Sequence, residues 1–297
     1  MQFLILIFAL IFLSGCNQEG KSELIWKISN SSQSIYLQGV AHVGPEIYVN
    51  PSAKTLVLFN QAQNIIVESV YTGSRQELKE TSVELTETNQ LALKDFLDTL
   101  ALDGLLTKQQ YIDIQKSDVA HFDNAFAPVF AKKVALNKKY SSLFNDYRLG
   151  IDSTLADLAI ANAKHLSGLE QTYNIRLTWH QTCDANKLFP EILQSYKTML
   201  TDEHDARTMY DVHKYIAEGN LDSTRLSILA LEKSLPHVRI HATCSYHPRT
   251  RQWAENWESV MKRAPNGLVL VGAYHVVQEP TLLTLLREKG YVVERLR

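Results

Sequence analysis

IYLQGVAHVGPE (residues 35–46) and LVLVGAYHVVQE (residues 268–279) stand near opposite ends of the chain and align without a gap. Leu37 falls on Leu270, Gly39 on Gly272, His42 on His275, Val43 on Val276 and Glu46 on Glu279. Each copy reads as an apolar strand, a G-x-x-H turn, a helix and another strand. Glycine at a strand end allows a close backbone approach. The histidine that follows is delivered to the carboxyl edge of the sheet, where open α/β sheets bind ligands. Two such units bring His42 and His275 to a common cleft. Glu68 lies near the end of NIIVESV (64–70), a buried-strand pattern. A buried carboxylate without a partner is costly, so Glu68 is expected to face the cleft and meet a metal ion or an arginine.

Working outward, Leu24–Ser29 and Ser34–Gln38 read as a hairpin around Asn30-Ser31-Ser32. Ser52–Ala62 reads as a helix capped by Ser52. From Gln76 to about Leu200 the pattern is helical, including Ala92–Leu102, Thr107–Lys116, Ala125–Lys138 and Asp152–His165, the last with Asp152 as its N-cap. Leu166–Glu170 reads as a short strand, Glu203–Ala217 and Leu221–Lys233 as helices, Val238–Ala242 as a strand and Pro248–Arg263 as a helix. Gly267–Val271, Pro280–Lys289 and Tyr291–Leu296 close the chain as strand, helix, strand. The expected fold is α+β: a mixed central sheet built from the two end repeats, with a helical insertion or lid over about 76–235. No Gly/Ser- or Pro-rich linker divides 24–297, which reads as one domain.

The composition is that of a globular chain: 297 residues, 45% hydrophobic, 21% charged. Thirty Lys and Arg against 32 Asp and Glu leave a net charge of -2, so no basic excess points to nucleic acid. Residues 2–13 (QFLILIFALIFL) are an apolar run too short to span a bilayer as a helix, and they meet Leu13-Ser14-Gly15-Cys16. Small residues before a cysteine resemble a bacterial lipobox. That resemblance implies a signal peptide over 1–15, a lipid-modified Cys16 anchored in the bilayer, and a tether over 16–23. Asn17 after the cysteine resembles Gram-negative sorting to the outer membrane, facing the periplasm. In such an oxidising compartment Cys183 and Cys244 either pair or stay as two buried thiols.

The order of motifs resembles the TraB/PrgY/GumN family, related to the Tiki metalloproteases. It runs from LIWKIS, SIYLQGVAHVGPE and NIIVES through Gly150-Ile151-Asp152, Gly168-Leu169-Glu170 and Arg251-Gln252-Trp253 to Gly272-Ala273-Tyr274-His275 and GYVVERLR. The family is similar in fold to erythromycin-esterase and ChaN-like proteins. The resemblance implies a metal-dependent, peptidase-like hydrolase. It makes His42 and His275 the two G-x-x-H histidines, Glu68 and Glu170 the acidic residues and Arg251 the arginine. Tyr274 stands where a small residue is usual. Since tyrosine ligates ferric haem, a haem-, peptide- or signal-binding protein is the alternative.

Imidazole and carboxylate donors at His42, Glu68 and His275 suit Mn, Co, Zn or Fe better than Ca, and such an ion can activate water. Without a metal, His42 is the general base. Arg251 would clamp a carboxylate or an oxyanion, with Glu170 in support. A second cluster of His237, Arg239, His241, Cys244 and His247 matches no zinc spacing. His204 and His213 are nine apart on a helical pattern and are expected in solvent. No H-E-x-x-H, G-x-S-x-G, P-loop or C-x-x-C pattern occurs.

Overall fold

The computed structural model describes residues 23–70, 83–122, 125–126, 129–130, 132–133, 147–200 and 203–296. The proposed signal peptide, Cys16 and most of the expected helix Ala125–Lys138 lie outside the described residues. Among those described, the strands are β1 (Ile25–Ser29), β2 (Ser34–Val40), β3 (Val43–Pro45), β4 (Asn64–Val70), β5 (Tyr147–Leu149), β6 (His165–Gln171), β7 (Leu268–Gly272) and β8 (Val292–Arg295). Six of them form one mixed sheet in the order β6-β4-β7-β2-β1-β8, and β3 pairs with β5 apart from it.

β1 and β2 form the hairpin that the sequence predicts. Asn30 Oδ1 accepts from Ser32 N at 2.9 Å and Gln33 N at 3.0 Å, so the side chain supplies the turn's acceptor. β6, β4, β7 and β2 run parallel. β7 is buried along its whole length, as a strand covered on both faces must be. Its register against β2 sets Gly39 opposite Val271 and Val40 opposite Gly272. The two G-x-x-H turns therefore leave the same sheet edge from neighbouring strands, offset by one residue.

Side chains alternate between two cores, as the period of a strand requires. Leu268 and Leu270 pack with Leu58, Phe59, Leu155 and Ala159, from helices Ala53–Gln61 and Ile151–Ala161. Val269 and Val271 pack with Trp253, Trp257, Leu282 and Leu286 on the other face. A third core, with Phe96, Leu97, Phe122, Phe189 and Tyr196, belongs to the helical middle of the chain. Cys183 and Cys244 form a disulfide with their Cα atoms 5.6 Å apart, tying that middle to the helix that carries Trp253. Among the described residues no helix is long and apolar enough to cross a membrane.

Several boundaries differ from the sequence reading. Val238–Ala242 is not a strand. Pro236 opens a helix, Pro236–His241, which runs through a π-turn, Ala242–Tyr246, into helix His247–Glu255. Proline at the first helical position needs no N–H partner and starts a helix well. His237, Ile240, His241 and Cys244 are buried at three-to-four spacing, a helical stripe mistaken for alternation. The helix expected to end at His165 stops at Ala161, and Ala163 takes a positive φ of 52° before β6 begins. Its N-cap is Gly150 rather than Asp152, which sits in the first turn. His213 is buried instead of solvated, its Nδ1 donating to Met209 O at 2.7 Å.

Candidate functional site

The cleft is assembled from four chain segments at the carboxyl edge of the sheet. β2 leads directly into His42. The β3–β5 ribbon then brings Gly150 alongside, where its N–H donates to His42 O at 2.6 Å. A Cβ on Gly150 would stand 2.0 Å from Ala41 O, so this approach admits glycine alone. It sets the following helix turn so that Asp152 Oδ2 lies 2.8 Å from His42 Nδ1.

Glu68, near the end of β4, is the hub. Its Oε1 accepts from Gly272 N at 2.6 Å and lies 3.2 Å from His42 Nε2 and 3.5 Å from His275 Nε2. Gly272 also permits close contact: a Cβ there would be 2.8 Å from His42 Nε2 and 3.1 Å from Glu68 Oε1. Arg249 bridges two carboxylates, donating from Nη2 to Glu68 Oε2 at 2.7 Å and from Nε to Glu170 Oε1 at 2.6 Å. Its guanidinium lies over the Trp253 ring, 4.8 Å from the centroid, and the indole packs 4.4 Å from the His275 ring. The His42 side chain is 46% exposed and that of His275 1%, so the cleft opens at His42 and closes at His275.

The hydrogen bonds assign the His275 tautomer. Thr250 Oγ1 has one proton, which it donates to Tyr246 O at 2.6 Å. It must then accept from His275 Nδ1–H, also at 2.6 Å. His275 Nε2 is consequently a bare lone pair facing the Glu68 carboxylate. Burial pushes His275 down to about 3, more than the attraction of Glu68 can offset, so the ring is neutral. Partial desolvation at the mouth of the cleft opposes charge on His42, but Glu68 and Asp152 on either side outweigh it and raise this ring to about 10. Burial works against a charged Glu68 as well, yet Arg249 and then His42 hold it well below the usual carboxylate range. Glu170 moves the other way: burial raises it, and Arg249 opposes only in part.

These opposite shifts give stability opposite slopes. Between its ordinary 6.5 and about 10, His42 binds a proton only in the folded state, so its stabilisation is lost as pH rises through that window. Between about 3 and 6.5, His275 binds a proton only when unfolded, so stability falls as pH falls. We expect the contribution of the pair to peak near neutral pH. In urea titrations His42→Gln is expected to flatten the alkaline limb and His275→Gln the acid limb. Unchanged slopes in both variants would refute the assignment.

Of the residues expected at the site, His42, Glu68, His275 and Glu170 come together. Arg251 does not: it is exposed on its helix, and Arg249 holds the place expected of it. Two positions along a helix turn a side chain about 200° away, whereas Arg249 and Trp253, four apart, share a face. That spacing from the buried tryptophan was the available signal. Asp152, expected as a cap, instead orients His42, and Thr250 was missed. Tyr274 donates its hydroxyl to Glu232 Oε1, and its ring lies 4.7 Å from that of Tyr246. Among the described residues no group of three or more His, Cys, Asp or Glu side chains is arranged to hold a metal ion. His42 Nε2 and Glu68 Oε1 contact each other directly.

The family model described as the TraB/PrgY/gumN family matches residues 24–295. The chain belongs to this family. No curated protein and no solved structure matches it. The match spans every element of the TraB/PrgY/gumN chain described above, from β1 to β8, and so takes in both G-x-x-H turns, Glu68, Asp152 and Arg249.

Proposed function

We propose that this protein is a lipid-anchored hydrolase of the cell envelope, acting on a peptide or another small carbonyl substrate at His42, Glu68 and His275 with a divalent metal ion. The observation that carries the reading is the bare Nε2 of His275 facing Glu68 Oε1, with His42 Nε2 on the same oxygen. Two imidazole nitrogens and a carboxylate oxygen suit Mn, Co, Zn or Fe. Each ring has its Nδ1 proton held by an acceptor, Asp152 for His42 and Thr250 for His275, as ligating histidines require. Glu68 and Glu170 share the Arg249 guanidinium, and Glu68 and Asp152 flank His42; with His42 unprotonated the three carboxylates leave a negative excess that a cation would offset. Ligation needs His42 unprotonated, so the ion would stand in for the proton that His42 shares with Glu68. When bound it supplies Lewis acidity toward a carbonyl and toward water.

The chain's own residues do the positioning. Arg249 and Gly272 N hold both oxygens of Glu68. Asp152 keeps the His42 ring turned toward Glu68. Trp253 and Tyr246 wall off His275 from solvent, leaving His42 as the group that substrate reaches first. The Cys183–Cys244 disulfide supports an oxidising compartment, in keeping with a lipidated Cys16. Palmitate incorporation that persists in Cys16→Ser would remove the anchor from this reading.

Metal content of the full chain, purified without chelator and reloaded with Mn, Co, Zn or Fe, tests the centre. Near-stoichiometric metal is expected, lost in both His42→Ala and His275→Ala. A second reading rests on the His42–Asp152 pair, in which His42 is a metal-free acid and base. Hydrolysis of a peptide panel that survives chelation but not His42→Ala would favour it. Neither metal nor turnover would overturn both.

A further inference from the structure

The two histidines of the centre are held in different ways. His275 is fixed by the side chains packed around it: Thr250 at Nδ1, the Trp253 indole and the Tyr246 ring. The His42 side chain is 46% exposed, so its place depends on the backbone that carries it. That backbone runs straight into the β3–β5 ribbon, where Val43 pairs with Leu149 and Gly44 with Arg148. The ribbon lies apart from the six-stranded sheet, so the ladder that aligns Glu68 with Gly272 does not extend to it.

Helix Glu203–Ala217 meets the ribbon from the helical middle of the chain. Its His213 is buried, and the ring fills the space in front of Gly44. A Cβ on Gly44 would stand 2.8 Å from His213 Cδ2 and 2.9 Å from Val49 Cγ1. His213 Nδ1 donates to Met209 O at 2.7 Å, which fixes the plane of the ring. Burial lowers His213, and the backbone of Met209 and Val43 opposes only in part, so the ring is neutral. Three residues earlier the Tyr210 hydroxyl lies 3.0 Å from that of Tyr48, with the ring centroids 5.5 Å apart. Residues three apart share a helix face, so one face of this helix grips the segment after His42 at two points. The sequence repeat breaks at the same contact. Gly44 aligns with Val277, which is buried in the helical turn Tyr274–Val277. In the first copy the His213 ring takes up the room that a side chain would need. We propose that His213 is a positioning residue for the His42 centre: seated on Gly44, it holds the ribbon so that His42 Nε2 stays on Glu68 Oε1. The helical middle thereby sets the geometry of the exposed half of the site.

Proton NMR of the histidine ring N–H groups, in the chelator-treated full chain at neutral pH, tests this role. In the wild-type protein the His42 Nε2–H bonded to Glu68 and the His275 Nδ1–H bonded to Thr250 are both expected to be visible. His213→Ala is expected to speed solvent exchange of the His42 proton by about tenfold and to leave the His275 proton unchanged. His213→Phe keeps a ring on Gly44 and is expected to retain most of the protection. Gly44→Ala presses a methyl group into the same contact from the ribbon side and is expected to match His213→Ala, so it carries the test if that variant does not fold. Unchanged exchange at His42 in His213→Ala or Gly44→Ala would overturn the proposal. So would equal acceleration at His42 and His275, which marks a merely structural residue, or a loss in His213→Phe as large as in His213→Ala. A wild-type chain without a protected His42 proton would overturn it as well, since His42 would then not be held on Glu68. The inference rests on His42 belonging to the proposed centre, but its readout needs neither metal nor turnover. Failure of the hydrolase reading therefore leaves it standing.

Discussion

Glu68→Gln is expected to lower kcat/KM of the metal-loaded enzyme by about a thousandfold, roughly 4 kcal/mol in transition-state terms. It is also expected to lower stability by about 3–5 kcal/mol, the usual consequence of removing one partner from a buried ion pair. Both effects follow from the position of this carboxylate. Its two oxygens meet Gly272 N, His42 Nε2 and Arg249 Nη2, with His275 Nε2 at 3.5 Å. Glutamine has nearly the same shape but no charge. Arg249 would keep a single carboxylate partner, and His42 would be held as an imidazolium by Asp152 alone. Steady-state kinetics on the peptide that the wild-type enzyme cleaves, with a urea titration alongside, read both effects. A variant that kept wild-type turnover would take Glu68 out of the reaction centre.

Arg249→Leu is expected to be comparably damaging to stability, at about 3–5 kcal/mol. That corresponds to a fall in melting temperature on the order of 10 °C. Arg249 is buried between Glu68 and Glu170, and its loss leaves Glu170 without a counter-charge and Glu68 with His42 alone. Arg251→Leu, on the exposed face of the same helix, is expected to change stability by no more than about 0.5 kcal/mol. The two variants differ by two positions and have the same composition, so the comparison isolates the site. Equal effects, or a larger one at Arg251, would mean that the helix is turned differently from the geometry described.

The parts of this protein that local patterns encode were legible before the fold was known. A strand ending in glycine and followed by histidine announces itself twice, because alternation, glycine and spacing are properties of a few consecutive residues. The buried strand holding Glu68 was legible for the same reason, since an unpartnered carboxylate there would be too costly to keep. The sheet order, in which β7 inserts between β4 and β2, was not. Nor was the pairing of Asp152 with His42, 110 residues away. No local propensity distinguishes an aspartate that caps a helix from one that orients an imidazole, and the choice came from the β3–β5 ribbon. The same holds for Arg249 over Arg251 and for Thr250 as the acceptor that fixes the His275 tautomer. These depend on where the π-turn leaves the helix facing and on which side chains the sheet edge presents to it. The sequence by itself determined which chemical groups reach the cleft from the two repeats and β4. Only the tertiary structure decided how their protons and charges are shared, because hydrogen bonds and buried charges are settled between segments distant along the chain.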